Sequence, residues 1–166
     1  MDRLALGGFT ANMSNAGLAA GTTTTYTTTA TTAHVIDGKY GTTLAAQTNT
    51  ASPATDINTG LAFVAQTANQ ASVYVWGVNA AGAIKVAQGS IVDTEVGVTT
   101  TAGAFIKAPQ FPALPEDFCP IGYCVVRTSP TGSAFTFGAG GTAWAASGIT
   151  TTFKNVAVLP SRPQTA

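Results

Sequence analysis

Charge is what this sequence has least of. Seven basic and seven acidic residues are scattered along 166, so charged side chains make up 8% of the chain, against about 25% in an ordinary soluble domain. The formal net charge is zero. With no basic stripe to neutralise phosphates and no acidic field to gather cations, neither a nucleic-acid partner nor a cation site is expected. His34 is the only histidine, which excludes a site built from several; beside a hairpin signal it is expected as a half-exposed strand residue. Cysteine is nearly absent too. Cys119 and Cys124 lie in CPIGYC, and in a regular strand that odd spacing sets them on opposite faces, which predicts two buried free thiols and no mutual disulfide. No apolar run approaches the roughly 18 residues of a membrane span, so no membrane partner is expected. The opening MDRLALGGFTANMSNAGLAAG has one arginine and an apolar patch short of a signal-peptide core, so secretion is not expected, and a cytoplasmic assembly compartment would keep the thiols reduced.

Catalytic signatures are missing as well. The chain has no Gly-x-Ser-x-Gly elbow. Gly138-Ala139-Gly140-Gly141 lacks the Lys-Ser or Lys-Thr of a phosphate loop and reads as a flexible turn. Two acidic pairs, Asp93 with Glu95 and Glu116 with Asp117, are the only candidates for paired carboxylate chemistry, and they read as solvated acids at a strand end and in a proline-rich connector. Asn12-Met13-Ser14 fits a glycosylation pattern, which carries no weight without secretion. Tyr74, Trp76, Phe135, Phe137 and Trp144 could line a sugar-binding surface, but alternating aromatics in paired strands read first as core. No enzyme activity, no cofactor and no metal is expected.

What is there is threonine. From Gly21 the chain reads GTTTTYTTTATTAHVIDGKYGTTL, and nine of the eleven residues from Thr22 to Thr32 are threonine. A β-branched side chain disfavours helix and suits a strand, while the hydroxyl keeps that strand tolerable to water. Asp37-Gly38 just beyond is a two-residue hairpin signal. Residues 1–33 show little periodicity and read as an extended arm that orders only against something else. Residues 34–159 read as a single β-domain, and residues 160–166 as a tail. Within the domain, Ala71–Val78 (ASVYVWGV) is apolar on both faces and pairs through the turn Asn79-Ala80-Ala81-Gly82 with Ala83–Gln88. Ala62-Phe63-Val64 is a shorter strand signal. Residues 108–120 carry prolines at 109, 112, 115 and 120, which marks an extended connector. Ile121–Thr128 is a further core strand, with Ser133–Phe137 expected to return beside it after the turn at Ser129-Pro130-Thr131-Gly132. GITTTFKNVAVL supplies the last strand. No segment sustains a helical period, so the class is all-β, a small sandwich or barrel with an extended Thr-rich N-terminal arm.

GLAAGTTTT, LAAQTN, SPATDINTGLAFVAQTANQASVYVWGVNAAGAIKVAQG, APQFPALPEDFCPIGY and VAVLPSRP together resemble a family of small virion structural proteins of tailed bacteriophages. The resemblance implies a capsid decoration (cement) protein on the outer shell, assembled in the host cytoplasm. It would be a homotrimer bound to the major capsid protein and would stabilise the shell. On that view Thr22, Thr23, Thr24, Thr25, Tyr26, Thr27, Thr28 and Thr29 are the arm contacts, adding backbone to a neighbour's sheet edge. The alternative is a tail or head-fibre adsorption module that binds a host cell-surface glycan, which would need the aromatic side chains exposed at loop tips.

Overall fold

The computed structural model describes residues 8–165. Among them are β1 (Ala11–Asn12), β2 (Ala19–Ala20), β3 (Thr25–Thr28), β4 (His34–Ile36), β5 (Lys39–Tyr40), β6 (Gln47–Ala51), β7 (Gln70–Asn79), β8 (Ile84–Gln88), β9 (Val92–Asp93), β10 (Phe118–Thr128) and β11 (Ile149–Asn155), and no helix. The all-β class expected from the β-branched composition is what forms. The main sheet runs β11-β10-β7-β8, with β9 also on β7; β1-β4-β5 and β2-β3-β6 are small three-stranded sheets. Its end strands β11 and β8 do not pair with each other, so the sheet stays open and the architecture is layered, not a closed barrel.

β7 and β10 are the long strands, and both are buried on successive residues instead of alternating ones. That pattern means that the sheet is covered on two sides. On one face Tyr74, Trp76, Val78, Val86, Ile121, Cys124 and Val126 pack with Leu18, Tyr26, Phe63, Phe135, Phe137 and Trp144. On the other, Val73, Val75, Phe118, Tyr123 and Val125 are covered by Ile57, Phe105, Phe111, Leu114, Val156 and Leu159. The proline-rich connector supplies Phe111 and Leu114 of that second cover. Its missing N–H groups suit a segment that lies on a sheet without joining its ladder.

Most predicted elements form, and four differ. The connector ends earlier than residue 120, because β10 begins at Phe118 and takes in Pro120. Proline fits there because β11 pairs only from Gly122 onward and a register shift between Pro120 and Gly122 interrupts the β7 ladder. Ala62–Val64 is not a strand; Ala62 makes one isolated bridge to Thr55, while Phe63 drops into the core. Ser133–Phe137 does not return beside β10, since β11 occupies that edge; Phe135 bridges Gln66 instead and fills the core. The Thr-rich segment is extended as expected, yet it is bonded into the fold. β3 is the central strand of its sheet, with Ala20 opposite Tyr26 on one side and Thr50 opposite Tyr26 on the other. Tyr26 is buried with its ring 4.8 Å from that of Trp76, so what orders the described part of residues 1–33 is the chain itself.

The Asp37-Gly38 hairpin forms as its sequence demands. Val35 faces Tyr40 and Ile36 faces Lys39, and both turn residues have positive φ, 49° and 73°, as a type I′ turn requires. The tail is also tied down, with Gln164 N donating to Tyr123 Oη at 2.8 Å.

Because Tyr26 closes the main core, Tyr26→Ala should cost about 3–5 kcal/mol, the range for emptying a buried aromatic site. Equilibrium urea unfolding will measure it, and a loss under 1 kcal/mol, within the scatter of surface substitutions, would contradict the packing described. Deleting residues 1–33 should go further and abolish the cooperative transition.

Candidate functional site

The eight residues from Thr22 to Thr29 were the contact candidates, and their backbone is largely committed within the chain. Thr25 N donates to Thr22 O at 3.1 Å and Gly21 N to Thr25 O at 2.9 Å, which closes a turn ahead of β3. Thr23 sits in that turn at φ 52°. Thr25 Oγ1 donates to Thr22 O at 2.6 Å, and Asn49 Oδ1 accepts from Thr22 N at 2.9 Å. Trp144 N donates to Thr23 O at 3.0 Å and Trp144 Nε1 to Thr25 O at 2.7 Å. Thr27 and Thr28 use their hydroxyls to accept from Asn49 N and Gln47 N. Tyr26 and Thr28 are buried, Thr24, Thr25 and Thr27 are half-buried, and only Thr22, Thr23 and Thr29 are exposed. β3 therefore has no open edge to add to a neighbour, because β2 and β6 already flank it.

His34 is not half-exposed. It is 1% exposed, and neither ring nitrogen has a hydrogen-bond partner. The ring lies over Gly41, where a Cβ would fall 2.0 Å from Nε2, so the missing side chain is what lets the histidine in. Gly41 N donates to His34 O at 3.0 Å, which fixes the strand beneath the ring. Burial lowers the His34 pKa below its ordinary value, since an imidazolium there would lose hydration and gain no acceptor.

Of the acidic pairs, Glu116 and Asp117 line an open surface cavity with Gly8, Thr10, Ile36 and Asp37. Asp93, Glu95, Glu116 and Asp117 are all exposed, and among the described residues no three of His, Cys, Asp and Glu converge to hold a metal. Among the described residues the one buried carboxylate is Asp56, which sequence reading passed over because it has no acidic neighbour. It accepts from Gln88 N at 3.1 Å and Asn58 N at 3.4 Å, a structural role at the margin of β8. Also unforeseen is a buried polar chain through the core. Gln66 Nε2 donates to Val126 O at 3.1 Å, Tyr74 Oη to Gln66 Oε1 at 3.2 Å, and Gln88 Nε2 to Tyr74 Oη at 3.2 Å. Nothing in the QTANQ stretch, polar and turn-like, announces that its first glutamine is fully buried.

Both thiols are free and buried, but not on opposite faces. Ile121 is the extra residue of a bulge, as Pro120 faces Gly77 and Gly122 faces the adjacent Trp76. The bulge shifts the alternation by one, so Cys119 pairs with Val78 and Cys124 with Tyr74, both partners lying in the same core. What keeps the sulfurs apart is distance along the strand. Val78 and Tyr74 are four residues apart on β7, about 13 Å at ~3.3 Å per residue, far beyond disulfide reach. Burial pushes the Cys119 thiol up to about 11 and that of Cys124 up to about 12, the Trp76 indole pulling slightly the other way. Neither is a nucleophile at neutral pH.

Tyr74, Trp76, Phe135, Phe137 and Trp144 are core, while Phe9 and Tyr40 are exposed. Tyr74 stacks on Phe137 with centroids 4.5 Å apart, and Trp144 meets Phe153 and Phe137 edge-on. The apolar side chains that do face water lie elsewhere. Val96, Val98 and Ile106 are 78%, 75% and 67% exposed on a hairpin-like loop closed by the Thr94–Phe105 bridge and by Glu95 N donating to Ala104 O at 2.8 Å. Arg127 braces it, donating from Nη1 to Gly103 O at 3.2 Å with its guanidinium 5.3 Å from the Phe105 ring centroid. No family model matches the chain, and no curated protein or solved structure matches it. What the structure defines is an all-β domain in which both thiols and the one imidazole are buried.

Two outcomes test this description. Burial lowers the His34 pKa of the folded state below the ordinary value near 6.5 that the unfolded chain keeps, so as pH falls the unfolded state binds more of that proton. Stability should therefore be level above pH 7 and fall as pH drops below 6.5, by at most about 1.4 kcal/mol per pH unit. Urea titrations at pH 7.5 and 5.5 should show the fall in the native chain and a smaller one in His34→Leu. Thiol reagent at pH 8 should leave the native protein unlabelled and find both cysteines after denaturation without reductant; labelling of the native state would contradict their burial.

Proposed function

We propose that the protein is a structural component of a tailed-phage virion, in particular a decoration protein that binds the major capsid protein lattice on the outer shell and stabilises it. The observation that carries this reading is a surface made to be covered. With charged residues at 8% of the chain, the domain still leaves Leu61, Val64, Val96, Val98 and Ile106 largely exposed. A free monomer with such a surface is poorly protected against association, whereas a shell component removes it from water by contact with neighbours. Resemblance to small virion proteins points the same way and implies a trimer on the capsid. The work done is mechanical. Contacts made only in the assembled shell shift the equilibrium toward it by mass action.

The contact surface proposed for the capsid is the 94–106 loop, in place of the Thr22–Thr29 backbone that β2 and β6 occupy. The glycan-adsorption alternative is less well supported, because Tyr74, Trp76, Phe135, Phe137 and Trp144 are buried; Phe9 and Tyr40, beside the Asp37-Gly38 turn, are the exposed aromatics it would have to use.

Co-sedimentation with undecorated shells of the phage that encodes the chain tests the proposal. The protein should pellet with shells at saturable occupancy and raise the temperature at which they rupture. Val98→Asp should reduce that occupancy at least tenfold with an unchanged circular dichroism spectrum. Saturable binding to host polysaccharide with no binding to shells would favour the adsorption reading instead.

A further inference from the structure

The two ends of the main sheet are finished differently. Beside β8 the chain lays its own segment, with a parallel bridge between Asp56 and Val86 and Ile57 N donating to Val86 O at 2.9 Å. β11 at the other end has no such cover among the described residues.

Hydrogen-bond parity says which groups are left over. Ser129 N donates to Gly148 O at 2.8 Å and Val156 N to Ile121 O at 3.2 Å. Both pairs continue the register that sets Gly122 against Asn155 and Thr128 against Ile149. Bonded and non-bonded pairs alternate along an antiparallel ladder. The bonded pairs between those two ends are therefore Arg127 with Thr150, Val125 with Thr152, and Tyr123 with Lys154. Ile149, Thr151, Phe153 and Asn155 then aim their N–H and C=O groups away from β10. Ile149 N is taken by Ala146 O at 3.1 Å, which leaves Thr151 and Phe153 at the middle of an open edge.

That edge carries little of the usual protection. The strand reads ITTTFKN over seven residues, pairs with β10 without a register shift, and has no proline and a single charge, Lys154. Open edges of this kind template pairing with another strand.

We propose that β11 pairs with β11 of a second copy, antiparallel about a twofold axis through Thr152. Full overlap of the strand on itself centres on that residue. It sets Thr151 opposite Phe153 of the second copy, so the outward groups of both meet as a bonded pair. Lys154 falls opposite Thr150 of the other copy, and no like charges face each other. Thr152 faces its own symmetry mate in a non-bonded pair, where side chains come closest. The contact is isologous and closes at two copies; a trimer would need a different surface. This inference does not depend on the virion reading.

Sedimentation velocity on the full chain at micromolar concentration should give a dimer. Thr152→Lys and Thr152→Glu should each give a monomer with an unchanged circular dichroism spectrum, and an equal mixture of the two should restore the dimer. Should either variant misfold, amide exchange on the native chain decides: Thr151 and Phe153 amides should be protected at high concentration and lose protection on dilution, while Thr152 stays protected throughout. A native monomer, an oligomer that both variants leave intact, or concentration-independent exchange at Thr151 and Phe153 would overturn the proposal.

Discussion

The pairing of β7 with β10 is the constraint from which the rest of the structure follows. Each strand is buried on both faces over about ten residues, so neither face of the sheet they make can be left to water. A chain of 166 residues with no helix among those described must then cover two apolar faces with whatever segments remain. One cover is the β2-β3-β6 sheet with its Tyr26 and the loop aromatics. The other is the proline-rich connector and the residues after β11. Segments that look like linker or arm in isolation are thus structural lids, held by apolar burial at roughly 25 cal/mol per Å².

The bulge at Ile121 makes that two-sided burial work. With the extra residue, Ile121 and Gly122 both turn to the Tyr26 side, and Tyr123 reaches the opposite face, where Phe111 meets its ring edge-on at 5.0 Å. Pro120, which cannot donate, stands where the ladder is already broken. The same shift sends both cysteines to one side and leaves them several residues apart, so the thiols act as small buried hydrophobes.

Threonine takes the place that charge holds in most domains. Hydroxyls of Thr25, Thr27, Thr28, Thr128 and Thr142 each pair with backbone groups of turns and strand ends. Such neutral pairs stabilise loops without a charged coat, and they leave the outer surface nearly free of repulsion between copies. Among the described residues the apolar 94–106 loop and the edge of β11 are open to contact with other molecules.

How much of this was legible beforehand depended on how local each signal was. The hairpin at Asp37-Gly38, the β7–β8 pair through Asn79–Gly82 and the strand in GITTTFKN rest on turn chemistry and β-branching, which act over a few residues and can be read in order. The all-β class follows from the same local preferences. Long-range pairing could not be read that way. Whether β10 accepts β11 or Ser133–Phe137 at its edge, whether Thr25–Thr28 finds β2 and β6, and whether His34 ends over Gly41 depend on segments brought together from far along the chain. The run Thr22–Thr29 shows its extended shape in sequence but not that β2 and β6 flank its strand. Composition and local propensity determined the strands, the turns and the low charge. Only the tertiary structure decided which faces were covered and that the β11 edge stayed open, because burial and hydrogen-bond partnership are properties of pairs of segments and not of either one alone.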